Sequence, residues 1–103
     1  MEQPTLFDPY PNTRRQYELF LEANPWVLSR LADMALRLQA RGWRRYSIVG
    51  LTEALRYEHA SINDPSTGWK INNNYRPYMV RDLIAAYPQL AGFFELRKAE
   101  ADL

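Results

Sequence analysis

Cysteine and long apolar runs are both missing from this sequence of 103 residues. Without cysteine the chain has no disulfide and no thiolate metal site. No apolar run approaches the roughly 20 residues that a membrane-spanning helix needs. The first residues include Glu2 and Asp8 and no basic segment that leads into an apolar stretch, so we expect no secretory signal. These absences predict a soluble cytoplasmic protein that is not embedded in a membrane.

The sequence also has little of what catalysis requires. Its four glycines are scattered and form no phosphate-binding loop, and no serine or threonine lies in a glycine-flanked nucleophile turn. His59, the only histidine, lies near a predicted helix end, where a capping or surface role is more common than general base catalysis. Asp64 and Glu95 fit the carboxylate cluster of a metal nuclease poorly, because Arg97 stands where such a site uses lysine. We therefore expect no enzymatic activity, no metal and no cofactor.

Charge is almost balanced over the chain, and a net charge of +1 does not by itself indicate nucleic-acid binding. The distribution is uneven, because residues 14–59 hold eight arginines and five acidic residues. Eleven of the thirteen basic residues are arginine. This preference reflects either the codons of a GC-rich genome or bidentate contacts with phosphate or carboxylate groups.

Length and periodicity predict one domain of the α+β class, mainly helical with a small β element. We expect about four helices and a short sheet of two or three strands. Residues 1–12 contain three prolines and are predicted to form an extended arm. Residues 13–98 would form the domain and residues 99–103 a tail.

The first two helices have recognisable boundary signals. Thr13, with a glutamine three residues later, matches a capping box for a helix that ends near Ala23. Asn24 is a suitable N-cap and Pro25 a suitable first residue for a second helix, which stops at Gly42.

The second half of the chain predicts two further helices and two strands. Ser47 is a suitable cap for a third helix, whose buried stripe is Ile48, Leu51 and Leu55. A fourth helix spans residues 74–87. Apolar and polar residues alternate over 69–72 and again over 93–97, so we predict that these segments are strands that pair with each other.

Three consecutive asparagines, residues 72–74, precede the fourth helix. In a structural interpretation, Asn73 or Asn74 caps the helix and the others fill the turn before it. In a functional interpretation, the helix enters the major groove of DNA and places Asn73, Asn74 and Arg76 at base edges. The sequence leaves both interpretations open.

A second candidate surface is the basic stretch Arg37, Arg41, Arg44 and Arg45, which contains no intervening acidic residue. These guanidinium groups would contact DNA phosphates, or they would only complement the negative end of the second helix dipole. Both can hold together. The predicted backbone contacts outside this run are Tyr78, Arg81, Arg97 and Lys98.

The order helix, short strand, helix, loop, helix and terminal β segment resembles a winged helix-turn-helix domain. In that resemblance residues 48–59 are the supporting helix, residues 74–87 the recognition helix, and residues 93–98 part of a wing that carries Arg97 and Lys98 to the DNA backbone. The resemblance implies a non-enzymatic protein whose partner is double-stranded DNA. It leaves open whether the protein binds as a homodimer.

The strings NPWV, GWRRYSIVGLTEALRYE, KINNNYRPY and LAGFFELR also resemble a set of small conserved proteins of bacteria and their phages. The likeness covers residues 17–98 and implies a compact family domain in a phage or prophage setting, such as a phage regulator. It transfers no catalytic residue. The alternative function is a protein-interaction module that docks on a host protein, with arginines and tyrosines as interface anchors.

Overall fold

The structure is a computed structural model, and it describes residues 11–62 and 69–95. Within these ranges it contains four α-helices: α1 (Pro11–Ala23), α2 (Val27–Ala40), α3 (Ile48–Ile62) and α4 (Arg76–Ala86). Two short strands are β1 (Tyr46–Ser47) and β2 (Phe94–Glu95), and 3₁₀ turns occur at Asn73–Tyr75 and Pro88–Leu90. The prediction of a mainly helical fold is confirmed.

The boundary between α1 and α2 differs from its prediction. Thr13 lies inside α1, so the predicted capping box is wrong. Helix α1 ends at Ala23 as expected, but Asn24 belongs to its C-terminal end, because the Asn24 side chain donates a 2.9 Å hydrogen bond to the Phe20 carbonyl. The N-cap of α2 is Trp26, which makes no side-chain capping bond. Asn24 therefore closes the first helix and does not cap the second.

Helices α2 and α3 lie antiparallel and are joined by one bidentate ion pair. Arg30, near the start of α2, donates through Nε and Nη2 to both carboxylate oxygens of Glu58, near the end of α3, at 3.1 and 2.7 Å. At the other end, Gly42 has a φ of 102°, a conformation that glycine adopts without strain, and it terminates α2 as predicted. Because the start of α2 contacts the end of α3, the two helices run in opposite directions.

The start of α3 follows its sequence signals. The Ser47 hydroxyl accepts a 3.2 Å hydrogen bond from the Gly50 N–H, as expected of a cap. The predicted stripe of Ile48, Leu51 and Leu55 is buried. Thr52, also fully buried, donates its hydroxyl to the Ile48 carbonyl at 2.9 Å. The third helix is therefore predicted correctly in its start and in its buried face.

The strand partners differ from the prediction. Strand β2 pairs in parallel with β1, with Tyr46 opposite Phe94, and residues 69–72 form no strand. The segment 69–72 is used for packing instead: Ile71 is buried, and the Trp69 indole donates a 3.0 Å hydrogen bond to Asn24 Oδ1. Residues 96 and 97 of the predicted strand lie outside the described ranges. The sheet of a winged helix is not seen among residues 11–62 and 69–95.

The core lies between α2, α3, α4 and the segment that follows α4. Its largest fully buried apolar side chains are Leu31, Leu55, Met79, Leu83, Leu90 and Phe93. Gln39 of α2 donates a 2.8 Å hydrogen bond to the Gln89 carbonyl, so the C-terminal ends of α2 and α4 are close together. None of the helices in the described ranges combines the length and apolarity needed to cross a membrane.

Candidate nucleic-acid interface

The cap before α4 is Asn72, whose Oδ1 accepts a 2.8 Å hydrogen bond from the Asn74 N–H. The prediction that Asn73 or Asn74 is the cap is therefore wrong. The cap falls earlier because a 3₁₀ turn, Asn73–Tyr75, precedes the α-helical residues. The side chains of Asn73 and Asn74 are exposed and make no hydrogen bond to any residue in the described ranges. One asparagine is structural, and two amides remain available at the surface.

Arg76, the third predicted base contact, faces inward. Its side chain is 15% exposed and donates through Nε to the Thr52 hydroxyl at 3.1 Å. Its Nη2 lies 3.4 Å from a carboxylate oxygen of Glu53. In this arrangement Arg76 joins the start of α4 to α3, and it is not presented beside Asn73 and Asn74.

Tyr78 belongs to an aromatic cluster under α4. It is buried, and its ring stacks on Tyr17 at 5.5 Å between centroids. The guanidinium carbons of Arg14 and Arg81 each lie 5.7 Å from the centroid of the Tyr78 ring. Arg81, a predicted phosphate contact, is thus exposed. Its guanidinium group lies against the Tyr78 ring, which restricts the orientation of the side chain.

The hydroxyl of Tyr17 ties this cluster to α4. It donates a 2.6 Å hydrogen bond to Asp82. Burial of the phenol, together with this hydrogen bond and the negative charge of Asp82, raises the pKa of Tyr17 far above its usual value. Tyr17 is therefore neutral at any physiological pH and serves as a fixed donor.

The basic run that follows α2 is fully exposed. Arg41, Arg44 and Arg45 all lie at the surface, and between them Trp43 has 52% of its surface exposed. The Trp43 ring meets Tyr46 edge to face at 5.4 Å. We call residues 41–45 the arginine patch.

Ion pairing divides the described arginines into two groups. Six have a carboxylate partner: Arg14, Arg15, Arg30, Arg37, Arg56 and Arg76. The other four, Arg41, Arg44, Arg45 and Arg81, make no ion pair with any residue that the structure describes. These four are among the described arginines that the sequence assigned to phosphate contacts, whereas Arg37, the first member of the predicted basic stretch, is paired with Asp33.

The arginine patch and the asparagines lie at opposite ends of α4. The residues on both sides of the patch contact the segment that follows α4. Before the patch, Gln39 contacts Gln89, and after it the Tyr46 N–H donates to the Phe93 carbonyl at 2.9 Å. Asn73 and Asn74 precede the N-terminus of α4. The eleven residues of α4 correspond to a rise of about 16 Å. Arg97 and Lys98, the predicted wing contacts, lie outside the described ranges.

Sequence reasoning did not place His59 in a cluster of aromatic rings. His59 contacts two tryptophans, with centroid distances of 5.4 Å to Trp26 and 4.0 Å to Trp69, and the two tryptophan rings are 5.5 Å from each other. The single histidine therefore packs against aromatic rings. The sequence had predicted a capping or surface role for it. No spacing signal joins these residues, because tertiary packing alone brings three distant segments together.

Comparison of the chain with protein-family models, with curated proteins and with solved structures finds no match.

Proposed function

We propose that the protein binds double-stranded DNA without enzymatic activity and contacts phosphates through Arg41, Arg44, Arg45 and Arg81. The observation that carries the proposal is the division of the arginines by ion pairing. Exposed guanidinium groups without a carboxylate partner keep their full charge for an external anion. Each phosphate that they neutralise releases counterions, which favours binding.

In this proposal the domain acts as a winged-helix-like phage or prophage regulator, with α3 as the supporting helix and α4 as the recognition helix. Asn73 and Asn74 read base edges, since asparagine pairs with the N6 and N7 positions of adenine. Their exposure and their free amides support this role. Arg76 would join them only after leaving Thr52 and Glu53. Arg97 and Lys98 remain proposed backbone contacts, whereas Tyr78 is buried under α4 and is not presented to a phosphate.

A salt titration tests the phosphate contacts. Binding of a fluorescent duplex is followed by anisotropy as salt is raised, and four phosphate contacts predict a slope of roughly −3.6 for log affinity against log salt. Arg44→Ala should reduce this slope by about 1. Its matched control is Arg15→Ala, which removes an exposed arginine that is paired with Glu18 and should leave the slope unchanged. A folded sample that does not bind duplex at low salt would refute the proposal.

Base reading is tested separately with a duplex selected from a random pool. The double variant Asn73→Ala and Asn74→Ala should lose the preference for the selected duplex over a scrambled one, because each good base contact contributes about 1–3 kcal/mol of discrimination. Binding to the scrambled duplex should persist. If the preference survives intact, the asparagines do not read bases.

The second candidate function is docking on a host protein. Trp43, half exposed and flanked by arginines, favours it, because tryptophan and arginine are enriched among the residues that dominate protein interfaces. Docking predicts that Trp43→Ala abolishes partner binding, while duplex DNA is not bound at any salt concentration.

A further inference from the structure

A cavity of about 440 Å³ opens between α1, α3 and the segment that leads into α4. Its apolar wall consists of Phe20, Ile71 and Tyr75. Its polar wall consists of Arg56, Lys70, Asn72 and Asn73. The volume lies within the range of sites that hold small ligands, which combine an apolar surface with a few placed polar groups.

The apolar wall is firmly held. Ile71 and Tyr75 are buried, with 4% and 8% of their surfaces exposed. The rings of Phe20 and Tyr75 lie 5.4 Å apart at an interplanar angle of 45°. Because Ile71 and Tyr75 expose little surface, a planar ring would pack mainly on the partly buried Phe20, whose position is held by its contact with Tyr75.

The polar wall is positively charged. Arg56 and Arg76 share one carboxylate, that of Glu53, at 2.9 and 3.4 Å. Lys70 is exposed and makes no ion pair with any residue in the described part of the chain. Of the two cations that line the cavity, Arg56 is paired with Glu53 and Lys70 adds a charge that no described carboxylate balances, so the wall suits an anion such as phosphate.

Two amides complete the rim. The Oδ1 of Asn72 is occupied by the Asn74 N–H, which leaves its amide group free to donate. The Asn73 amide makes no hydrogen bond within the described ranges and offers both a donor and an acceptor. This pairing of donor and acceptor matches the edge of a nucleobase.

We propose that this cavity binds a nucleoside 5′-monophosphate. The base packs chiefly on Phe20, Asn73 bonds its edge, and Lys70 holds the phosphate together with Arg56, which is paired with Glu53 and would turn from that carboxylate toward the ligand. A free nucleotide and the terminal nucleotide of a DNA strand present the same chemistry. The site is independent of the arginine patch and shares only Asn73 with the proposed DNA interface, so either proposal can fail alone.

The test is calorimetric titration with adenosine 5′-monophosphate, with adenosine as the ligand that lacks the phosphate. The nucleotide should bind at least roughly tenfold more tightly than adenosine, and Lys70→Ala and Arg56→Ala should each weaken it by roughly tenfold. Lys70→Arg should retain binding. Arg44→Ala, which weakens duplex binding in the proposed function, should leave nucleotide binding unchanged.

Glu53→Gln should change the nucleotide affinity in the opposite direction. It removes the carboxylate that engages Arg56 and Arg76, so the affinity for adenosine 5′-monophosphate should rise. Thermal unfolding of each variant establishes that it is folded. An unchanged or lower affinity in folded Glu53→Gln would contradict the charge argument.

A second titration distinguishes the sources of the ligand. Single-stranded oligonucleotides with a 5′-phosphate or a 5′-hydroxyl are compared in the parent and in Lys70→Ala. Binding of the free nucleotide supports a mononucleotide site, and binding of the phosphorylated oligonucleotide alone, weakened by Lys70→Ala, supports a strand-end site. The proposal is overturned if neither probe binds, or if Lys70→Ala and Arg56→Ala bind both as the parent does.

Discussion

Tyr17 is a single residue on which α1 and α4 both depend. It is 4% exposed, stacks on Tyr78 and donates its hydroxyl to Asp82. Its pKa in the folded protein is raised above the usual 10.0, mainly because the phenol is buried. The folded state therefore keeps this proton at a pH where the unfolded chain loses it. The contribution to stability is complete below about pH 10 and is lost as the pH rises above that value.

Tyr17→Phe should lower the free energy of unfolding at neutral pH by about 1–2 kcal/mol, through loss of the bond to Asp82. It should also reduce the loss of stability above about pH 10, because phenylalanine has no proton to release. Urea unfolding over a pH series measures both effects. Tyr57→Phe is the control, since Tyr57 is 77% exposed. An identical alkaline slope in Tyr17→Phe and the parent would show that Tyr17 is not the responsible group.

The candidate site was partly predictable at this scale. The arginine run lies at the surface as its composition suggests, and the exposure of Asn73 and Asn74 fits their predicted role. The inward turn of Arg76 was not predictable, because its partners, Thr52 and Glu53, come from a different helix. The cap was placed one or two residues late, because a run of three asparagines contains no signal that selects one of them.

For the helices and strands, local sequence signals predicted helix ends and buried faces better than they predicted which strands pair. The buried stripe of α3 follows directly from helical periodicity, and Gly42 marks the end of α2. The partner of β2 was predicted wrongly because alternation identifies a strand and not its neighbour. The observed partner, β1, and the predicted partner, residues 69–72, are both short segments with an aromatic residue, and only tertiary packing selects between them.

Ser47→Ala should lower the free energy of unfolding by about 1 kcal/mol, because it removes the acceptor for the Gly50 N–H at the start of α3. Ser47→Asp should retain most of the stability, since aspartate also caps helices. Ser29→Ala is the matched control on the exposed surface of α2, where its hydroxyl makes only a 3.4 Å contact. Chemical denaturation of the three variants measures the difference. Equal losses in Ser47→Ala and Ser29→Ala would contradict the cap.

The ion pair between α2 and α3 should make a small, pH-dependent contribution. The hydrogen bonds from Arg30 lower the pKa of Glu58 below its usual 4.5, so this stability is present above about pH 4.5 and is lost as the pH falls through the lowered value. A double-mutant cycle with Arg30→Gln and Glu58→Gln should give a coupling of about 0.5–1 kcal/mol, because both side chains are more than a third exposed. The coupling should vanish in strong acid; a coupling that persists there would contradict an ionic origin.

Over the whole molecule, charge is arranged in two ways. Paired charges join neighbouring turns or neighbouring helices, as Arg37 does with Asp33 and Arg30 with Glu58. The arginine patch instead collects charge of one sign at one end of α4, without an ion pair to any residue in the described ranges. Clustered like charges repel one another, so the patch costs stability in the absence of a partner.

The triple variant Arg41→Gln, Arg44→Gln and Arg45→Gln should therefore be at least as stable as the parent at low salt. The difference should disappear at about 1 M salt, where charges are screened beyond about 3 Å. Thermal unfolding at the two salt concentrations measures this. The control Arg30→Gln breaks an ion pair and should lower the melting temperature. A triple variant that is much less stable than the parent would mean that the patch has a structural role.

The parallel pair of β1 and β2 has a consequence for synthesis on the ribosome. Tyr46 and Phe94 are 48 residues apart, and Leu90, Phe93 and Phe94 fill the core from the last described segment. While the chain is being made, α1, α2 and α3 emerge with an apolar face that nothing yet covers. A nascent chain arrested before residue 88 would present that face to chaperones or to other chains. The core can be completed only after Phe93 and Phe94 have left the ribosome.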